Sequence, residues 1–184
     1  MTKRGNAIHI ILIAALALLG AIRPGAAAGA GEINASVTRT LDRFYQQVPG
    51  ARELAAKAAA VLVFPTIVKA GFGFGGEYGE GALHIRGRTA GYYNIISGSI
   101  GFQFGAQARS VIIMFMTEEA LAGFEKTSGW KVGVDGSIVV VTVGAGESID
   151  TNTLTSPIIA FVIDPQGLMY NLSLEGSKIS RITR

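Results

Sequence analysis

The sequence predicts an α+β domain in which two or three helices pack on a curved, mainly antiparallel sheet, with a small β-barrel as the closed form of that sheet. Two observations support this fold class. Helical patterns are confined to residues 32–60 and 117–126, whereas short apolar runs separated by glycine-rich turns fill residues 61–116 and 130–174. No regular helical crossover joins consecutive runs, so neighbouring strands are expected to pair antiparallel.

Residues 1–28 have the pattern of a secretory signal peptide. Lys3 and Arg4 form a positive start, residues 10–19 form an apolar stretch, and the alanines at 26–28 offer a cleavage site. The apolar stretch is shorter than the roughly 20 residues that a membrane-spanning helix needs. We therefore expect an exported bacterial protein in the periplasm or cell envelope, with an uncleaved anchor as the alternative.

The rest of the chain is electrically balanced. Three of its 16 basic residues (Lys3, Arg4 and Arg23) precede the predicted cleavage site, which leaves 13 against 13 acidic residues. The basic pI therefore gives no support for a nucleic-acid partner. The chain has no cysteine and only two histidines, and no acid–base or metal-ligand pattern stands out. A non-enzymatic protein without a cofactor or metal is expected.

Residues 29–50 are expected to carry an amphipathic helix, predicted over residues 32–48. Its apolar stripe consists of Ile33, Val37, Leu41, Phe44 and Val48. Such a helix either docks on the sheet or lies on a membrane surface. On a membrane, Leu41 and Phe44 would insert into the bilayer, and Arg39 and Arg43 would lie near lipid phosphates. A second helix is predicted over residues 51–60.

Two glycine–aromatic pentads, residues 71–75 and 101–105, are predicted to form short strands. Each places two phenylalanines on one face and leaves the other face nearly bare; they are Phe72, Phe74, Phe102 and Phe104. A bare face indicates that a backbone, a bend or a ligand comes close. The phenylalanines are expected to enclose either the protein's own core or a lipid chain. Lys69 is a candidate headgroup contact, with an ordinary surface lysine as the alternative.

Turn signals divide the β region. Arg86-Gly87-Arg88 predicts a turn, and Asp135-Gly136 predicts a type I′ hairpin between residues 130–134 and 137–143. The sequence Asp164-Pro165-Gln166-Gly167 predicts another turn, between residues 158–163 and 168–174. Glu77 and Glu80 flank glycines and are expected in a solvated turn. Residues 111–116 form a continuous apolar run, which predicts a strand buried on both faces.

A series of motifs runs in order between Ala51 and Ile182. In chain order they are Val63-Phe64-Pro65, Val68-Lys69-Ala70-Gly71-Phe72, Gly75-Gly76-Glu77-Tyr78-Gly79-Glu80-Gly81, Tyr92-Tyr93-Asn94, Ser97-Gly98-Ser99-Ile100-Gly101, Gly105-Ala106-Gln107, Met116-Thr117-Glu118-Glu119-Ala120-Leu121 with Phe124, Gly133-Val134-Asp135-Gly136-Ser137, Gly167-Leu168-Met169, and Leu172-Ser173-Leu174-Glu175-Gly176. Through this series the chain resembles the SYLF-domain family, and residues 51–184 are expected to form a SYLF-like domain.

The resemblance implies lipid binding. Eukaryotic members are membrane-associated, bind phosphoinositides partly through a basic amphipathic helix, and in some cases bind actin. This chain differs in its export signal and its weakly basic helix, which favours general phospholipid binding. The expected function is that of a non-catalytic phospholipid-binding, membrane-associated envelope protein. The alternative is a structural envelope protein that acts through self-association or a protein partner.

Overall fold

A computed structural model describes residues 28–144, 155–166 and 174–184, without the side chains of residues 71–74, 99–106 and 166. Nearly all of the predicted signal peptide lies outside this part. The elements are α1 (Ala30–Gln47), α2 (Ala51–Lys57), β1 (Ala60–Ile85), β2 (Arg88–Phe115), α3 (Glu118–Lys126), β3 (Trp130–Lys131), β4 (Val139–Thr142), β5 (Ile158–Gln166) and β6 (Lys178–Ile182). The predicted fold class, an α+β domain with a curved and mainly antiparallel sheet, is confirmed.

Strands β1 and β2 form one very long antiparallel hairpin. They pair from Ala60 with Phe115 at the base to Ile85 with Arg88 at the tip. Arg86 and Gly87 join them with φ angles of 51° and 76°, as a type I′ turn requires, so the turn predicted there is confirmed. The sequence had predicted several short strands here, because proline and glycine usually end strands. Strand β1 instead continues through these prolines and glycines, and its pairing with β2 shifts register at several points, one of which follows Phe64.

The hairpin folds back over its own first half. A Cβ atom at Gly81 would lie 2.0 Å from the carbonyl oxygen of Val63, and one at Gly79 would lie 2.8 Å from the carbonyl oxygen of Thr66. Two segments of the same strand therefore cross at backbone contact distance, which only glycine permits. Gly79 and Gly81 lie beyond the pentads at residues 71–75 and 101–105, so the bare face predicted for those pentads stays a prediction.

The free edge of β2 binds two different strands. Its first half pairs with β6 at residues 92–96, and its second half pairs with β5 at residues 108–115. Strand β3 continues the sheet from β6, and β4 adds a parallel strand to β5. The predicted hairpin at Asp135-Gly136 is therefore wrong, because the flanking segments pair with different strands. The strand predicted over residues 168–174, as the partner of residues 158–163, lies outside the described residues except for Leu174.

Two apolar clusters lie on the two faces of the sheet. Helices α1 and α2 cover one face, where Phe44 packs on Phe161 with ring centroids 4.9 Å apart. The folded-over half of the hairpin and α3 cover the other face, where Phe124 packs on Phe115 at 4.7 Å. Residues 111–115 are fully buried between the clusters, which confirms the strand predicted to be buried on both faces.

We expect Gly81→Ala to destabilise the protein by roughly 3 kcal/mol, because the added methyl group meets backbone rather than a movable side chain. Gly76→Ala in the same strand is the matched control. Its Cβ would lie 3.7 Å from the nearest atom outside its chain neighbours, which is an ordinary contact. Urea unfolding measures both variants. Equal stability of the two would contradict the close backbone crossing.

Candidate functional site

Most of the predicted site residues lie at the middle of the long hairpin. We define the mid-hairpin as residues 68–78 of β1 and 96–107 of β2. In it Gly71 pairs with Gly105 and Phe72 pairs with Phe104, so the two pentads are neighbours in the sheet. The side chains of Phe72, Phe74, Phe102 and Phe104 lie outside the described residues, and their lipid contacts stay predictions.

Among the described side chains of the mid-hairpin, three apolar ones are exposed. Tyr78 and Ile96 are cross-strand partners and are both 48% exposed, and Val68 is 46% exposed. Val68 and Tyr78 also line one cavity of about 580 Å³ between β1 and the start of α1. Exposed apolar side chains that lie together on a surface are typical of an interaction site. These three residues were not predicted as site residues, although strand alternation around the pentads was a usable signal.

A buried cluster of charges lies within the same hairpin. The Arg109 guanidinium donates to the Glu77 carboxylate at 2.7 Å, and the Lys69 ammonium lies 3.4 Å from its other oxygen. All three residues are less than 9% exposed. The solvated turn predicted for Glu77 is therefore wrong, because Glu77 lies in β1 and is buried against Lys69 and Arg109. The surface-lysine alternative for Lys69 is wrong for the same reason.

The cluster carries an excess of positive charge. Burial lowers the pKa of Arg109 and the Glu77 carboxylate raises it, but a guanidinium stays charged in proteins. In the sequence, residues 69–78 and 96–109 contain three charged residues, which are Lys69, Glu77 and Arg109. The net charge of these two segments together is therefore +1. Among the described residues, the Nε atom of Arg109 has no hydrogen-bond partner. The buried charge cluster thus favours an anionic group nearby.

Glu80, two residues beyond the mid-hairpin, contacts Arg184, which follows β6. Its carboxylate accepts hydrogen bonds from the Tyr78 hydroxyl and from the Arg184 guanidinium. Burial raises the pKa of Glu80, but these hydrogen bonds outweigh burial and lower it overall. The hydrogen bond to Glu80 raises the pKa of Tyr78, so Tyr78 keeps its proton at neutral pH. The solvated turn predicted for Glu80 is also wrong, since the residue lies within β1 and is ion-paired.

Helix α1 docks on the sheet, which was one of its two predicted roles. Phe44 is fully buried, and Leu41 is partly buried against the same cluster. Insertion of Phe44 into a bilayer would require the helix to leave the sheet. Substitution of Leu41 and Phe44 by aspartate would therefore disrupt the core and would not report on lipid contact alone.

The basic residues of α1 lie along a groove that leads to the mid-hairpin. Arg39 donates to Ser36 at 3.0 Å, and Arg43 lies 3.5 Å from the Asp164 carboxylate. Both line a cavity of about 450 Å³ that shares Ser36, Pro65 and Thr66 with the 580 Å³ cavity. The structure thus brings Arg39 and Arg43 to the same side of the molecule as Val68 and Tyr78, while Phe44 is in the core.

The described part of the chain shows neither a metal-binding group of side chains nor a membrane-spanning helix. Within residues 28–144, 155–166 and 174–184, no group of three or more histidines, cysteines or carboxylates is placed to hold a metal ion. The helices of that part are all too short or too polar to cross a membrane.

The comparisons with known proteins identify a family of binding domains. Residues 96–183 match the Ysc84 family model, whose description is Las17-binding protein actin regulator. The predicted resemblance to the SYLF-domain family is confirmed over these residues, which make up just under half of the chain. The match begins inside β2, so it does not include the motifs of β1 from which the resemblance was also predicted. A search of curated proteins finds no match.

We expect Glu77→Gln to destabilise the protein by about 3–5 kcal/mol, because it leaves two buried cations without their carboxylate. Glu80→Gln is the matched control, since Glu80 is also ion-paired within β1 but lies closer to solvent. Urea unfolding at neutral pH gives both values. A loss for Glu77→Gln no larger than for the control would contradict the buried cluster.

Proposed function

We propose that this protein is a non-catalytic phospholipid-binding protein that associates peripherally with a membrane of the bacterial cell envelope. The mid-hairpin is its contact surface. One observation carries the proposal: Val68, Tyr78 and Ile96 are exposed around the glycine–phenylalanine pentads, directly beside a buried excess of positive charge. Apolar groups next to a positive charge match the two parts of an anionic phospholipid, its acyl region and its phosphate.

The binding energy comes mainly from apolar burial. Full burial of a large apolar side chain contributes about 1.5–3 kcal/mol, so burying the exposed half of each of these three contributes roughly 1 kcal/mol apiece. The net charge of +1 on the buried cluster of Lys69, Glu77 and Arg109 adds an attraction to anionic headgroups, and salt weakens this attraction. Lys69 and Arg109 attract the lipid phosphate through longer-range electrostatics, because some of their N–H groups already contact the Glu77 carboxylate.

The envelope location rests on the signal-peptide pattern of residues 1–28. A positive start, an apolar stretch and an alanine-rich cleavage site are typical of exported proteins. The chain has no cysteine, so an exported form would have no disulfides and must be held by its core. Two apolar clusters on opposite faces of the sheet provide that core.

A protein partner is the second candidate for the same surface. The description of the matched family names a binding protein, not a lipid. An exposed apolar surface also suits a protein interface or self-association. The two candidates differ in their dependence on lipid, which vesicle binding measures directly.

We expect the double variant Val68→Thr and Ile96→Thr to lower binding to phosphatidylglycerol vesicles about tenfold. Threonine keeps the branched shape that suits a strand but carries a hydroxyl group, so the fold should persist. Val134→Thr is the matched control, because Val134 is 74% exposed and lies outside the mid-hairpin. Vesicle co-sedimentation measures the binding of all three proteins, and thermal unfolding checks their folds.

Three results would contradict the proposal. They are no binding of the original protein to vesicles, equal binding of the double variant, and an equal loss in the control. A protein that ignores vesicles but self-associates through Val68 and Ile96 would favour the second candidate.

A further inference from the structure

A separate cavity lies where the folded hairpin brings its own tip back to its base. It has a volume of about 350 Å³ and is enclosed by α1, α2, the first residues of β1 and the turn between β1 and β2. All of its lining residues belong to the described part of the chain. It shares no lining residue with the cavities beside the mid-hairpin.

The floor of this cavity is apolar and its rim is cationic. Leu41, Tyr45, Val61 and several alanines form the floor, and Arg52 and Arg86 are the charged groups of the rim. His84 also lines the cavity, and burial lowers its pKa, so it is neutral at pH 7. No carboxylate is among these lining residues. Asp42 acts electrostatically on the Tyr45 hydroxyl from outside the lining.

Arg52 is held in place at the rim by a ring contact. The guanidinium of Arg52 lies over the ring of Tyr45, with its carbon 4.4 Å from the ring centroid. This stacking orients the planar group and leaves its N–H edge free to meet a carboxylate or phosphate. Arg86 lies in the turn between β1 and β2 and also lines the cavity.

The conformation of Arg86 independently points to a role for its side chain. Its φ angle is 51°, in the left-handed region that disfavours residues other than glycine, asparagine and aspartate. Asn-Gly is the preferred pair for this type of turn, yet the chain has Arg86-Gly87. A strained backbone that carries a functional side chain is a pattern found at binding sites.

We propose that this cavity binds a free, single-chain anionic amphiphile such as a fatty acid. One hydrocarbon chain lies on the apolar floor, and its carboxylate accepts hydrogen bonds from Arg52 and Arg86. The volume is near the lower end of the roughly 300–1,000 Å³ of small-molecule pockets, which suits one short chain better than the two chains of a phospholipid. This site is distinct from the mid-hairpin and does not depend on membrane binding.

Titration calorimetry of the purified protein with decanoate, below the concentration at which decanoate forms micelles, tests the proposal. We expect one site per chain and at least tenfold weaker binding of decyltrimethylammonium, which has the same chain and the opposite charge. Arg52→Gln and Arg86→Asn should each weaken decanoate binding about tenfold. Arg88→Asn is the matched control, because Arg88 is exposed beside the same turn but does not line the cavity.

Two further readouts separate loss of the site from loss of the fold. Arg86→Asn places a preferred residue in the turn, so its melting temperature should not fall. Ala56→Phe should abolish decanoate binding by filling the cavity from its exposed side while the fold persists. The proposal is overturned if decanoate does not bind, if the cationic amphiphile binds equally well, or if the arginine variants bind decanoate like Arg88→Asn.

Discussion

The backbone crossing at Gly79 and Gly81 is the constraint on which the rest of the structure depends. A strand of 26 residues is far longer than the five or six residues that are common, and a flat hairpin of that length would bury little. Since these glycines lie against Val63 and Thr66, the hairpin instead folds over its first half and encloses an apolar cluster. A side chain at either position would hold the two segments apart.

The same fold-back creates both candidate sites. It carries Glu77 onto Lys69 and Arg109, so the buried charges and the exposed apolar residues lie together at the middle of the hairpin. It also returns the turn at Arg86 to the start of β1, which closes the 350 Å³ cavity against α1 and α2. The sheet therefore presents an exposed surface at the bend and a half-open cavity at the tip. The two places suit different ligands, a membrane at the first and a small amphiphile at the second.

The sequence predicts those parts of the fold that depend on residues close together in the chain. Helix α1 follows its apolar stripe, and the predicted range of 32–48 lies close to the observed Ala30–Gln47. The turn at Arg86 and the doubly buried run at 111–115 were also predictable. The continuity of β1 was not, because its glycines act through contacts with residues 13 to 18 positions away. The pairing of Glu77 with Arg109 spans 32 residues and leaves no local signal. The turn signal at Asp135 was real, since its carboxylate accepts from the Lys131 amide at 2.6 Å, but longer-range strand pairing decided the sheet.

The central claim is that the mid-hairpin, rather than α1, contacts lipid. Hydrogen exchange of the protein with and without phosphatidylglycerol vesicles tests it most directly. The account predicts that vesicles slow exchange in peptides covering residues 68–78 and 96–107 and leave α1 unchanged, because α1 stays docked through Phe44. Slower exchange confined to α1, or no change anywhere at saturating lipid, would contradict it.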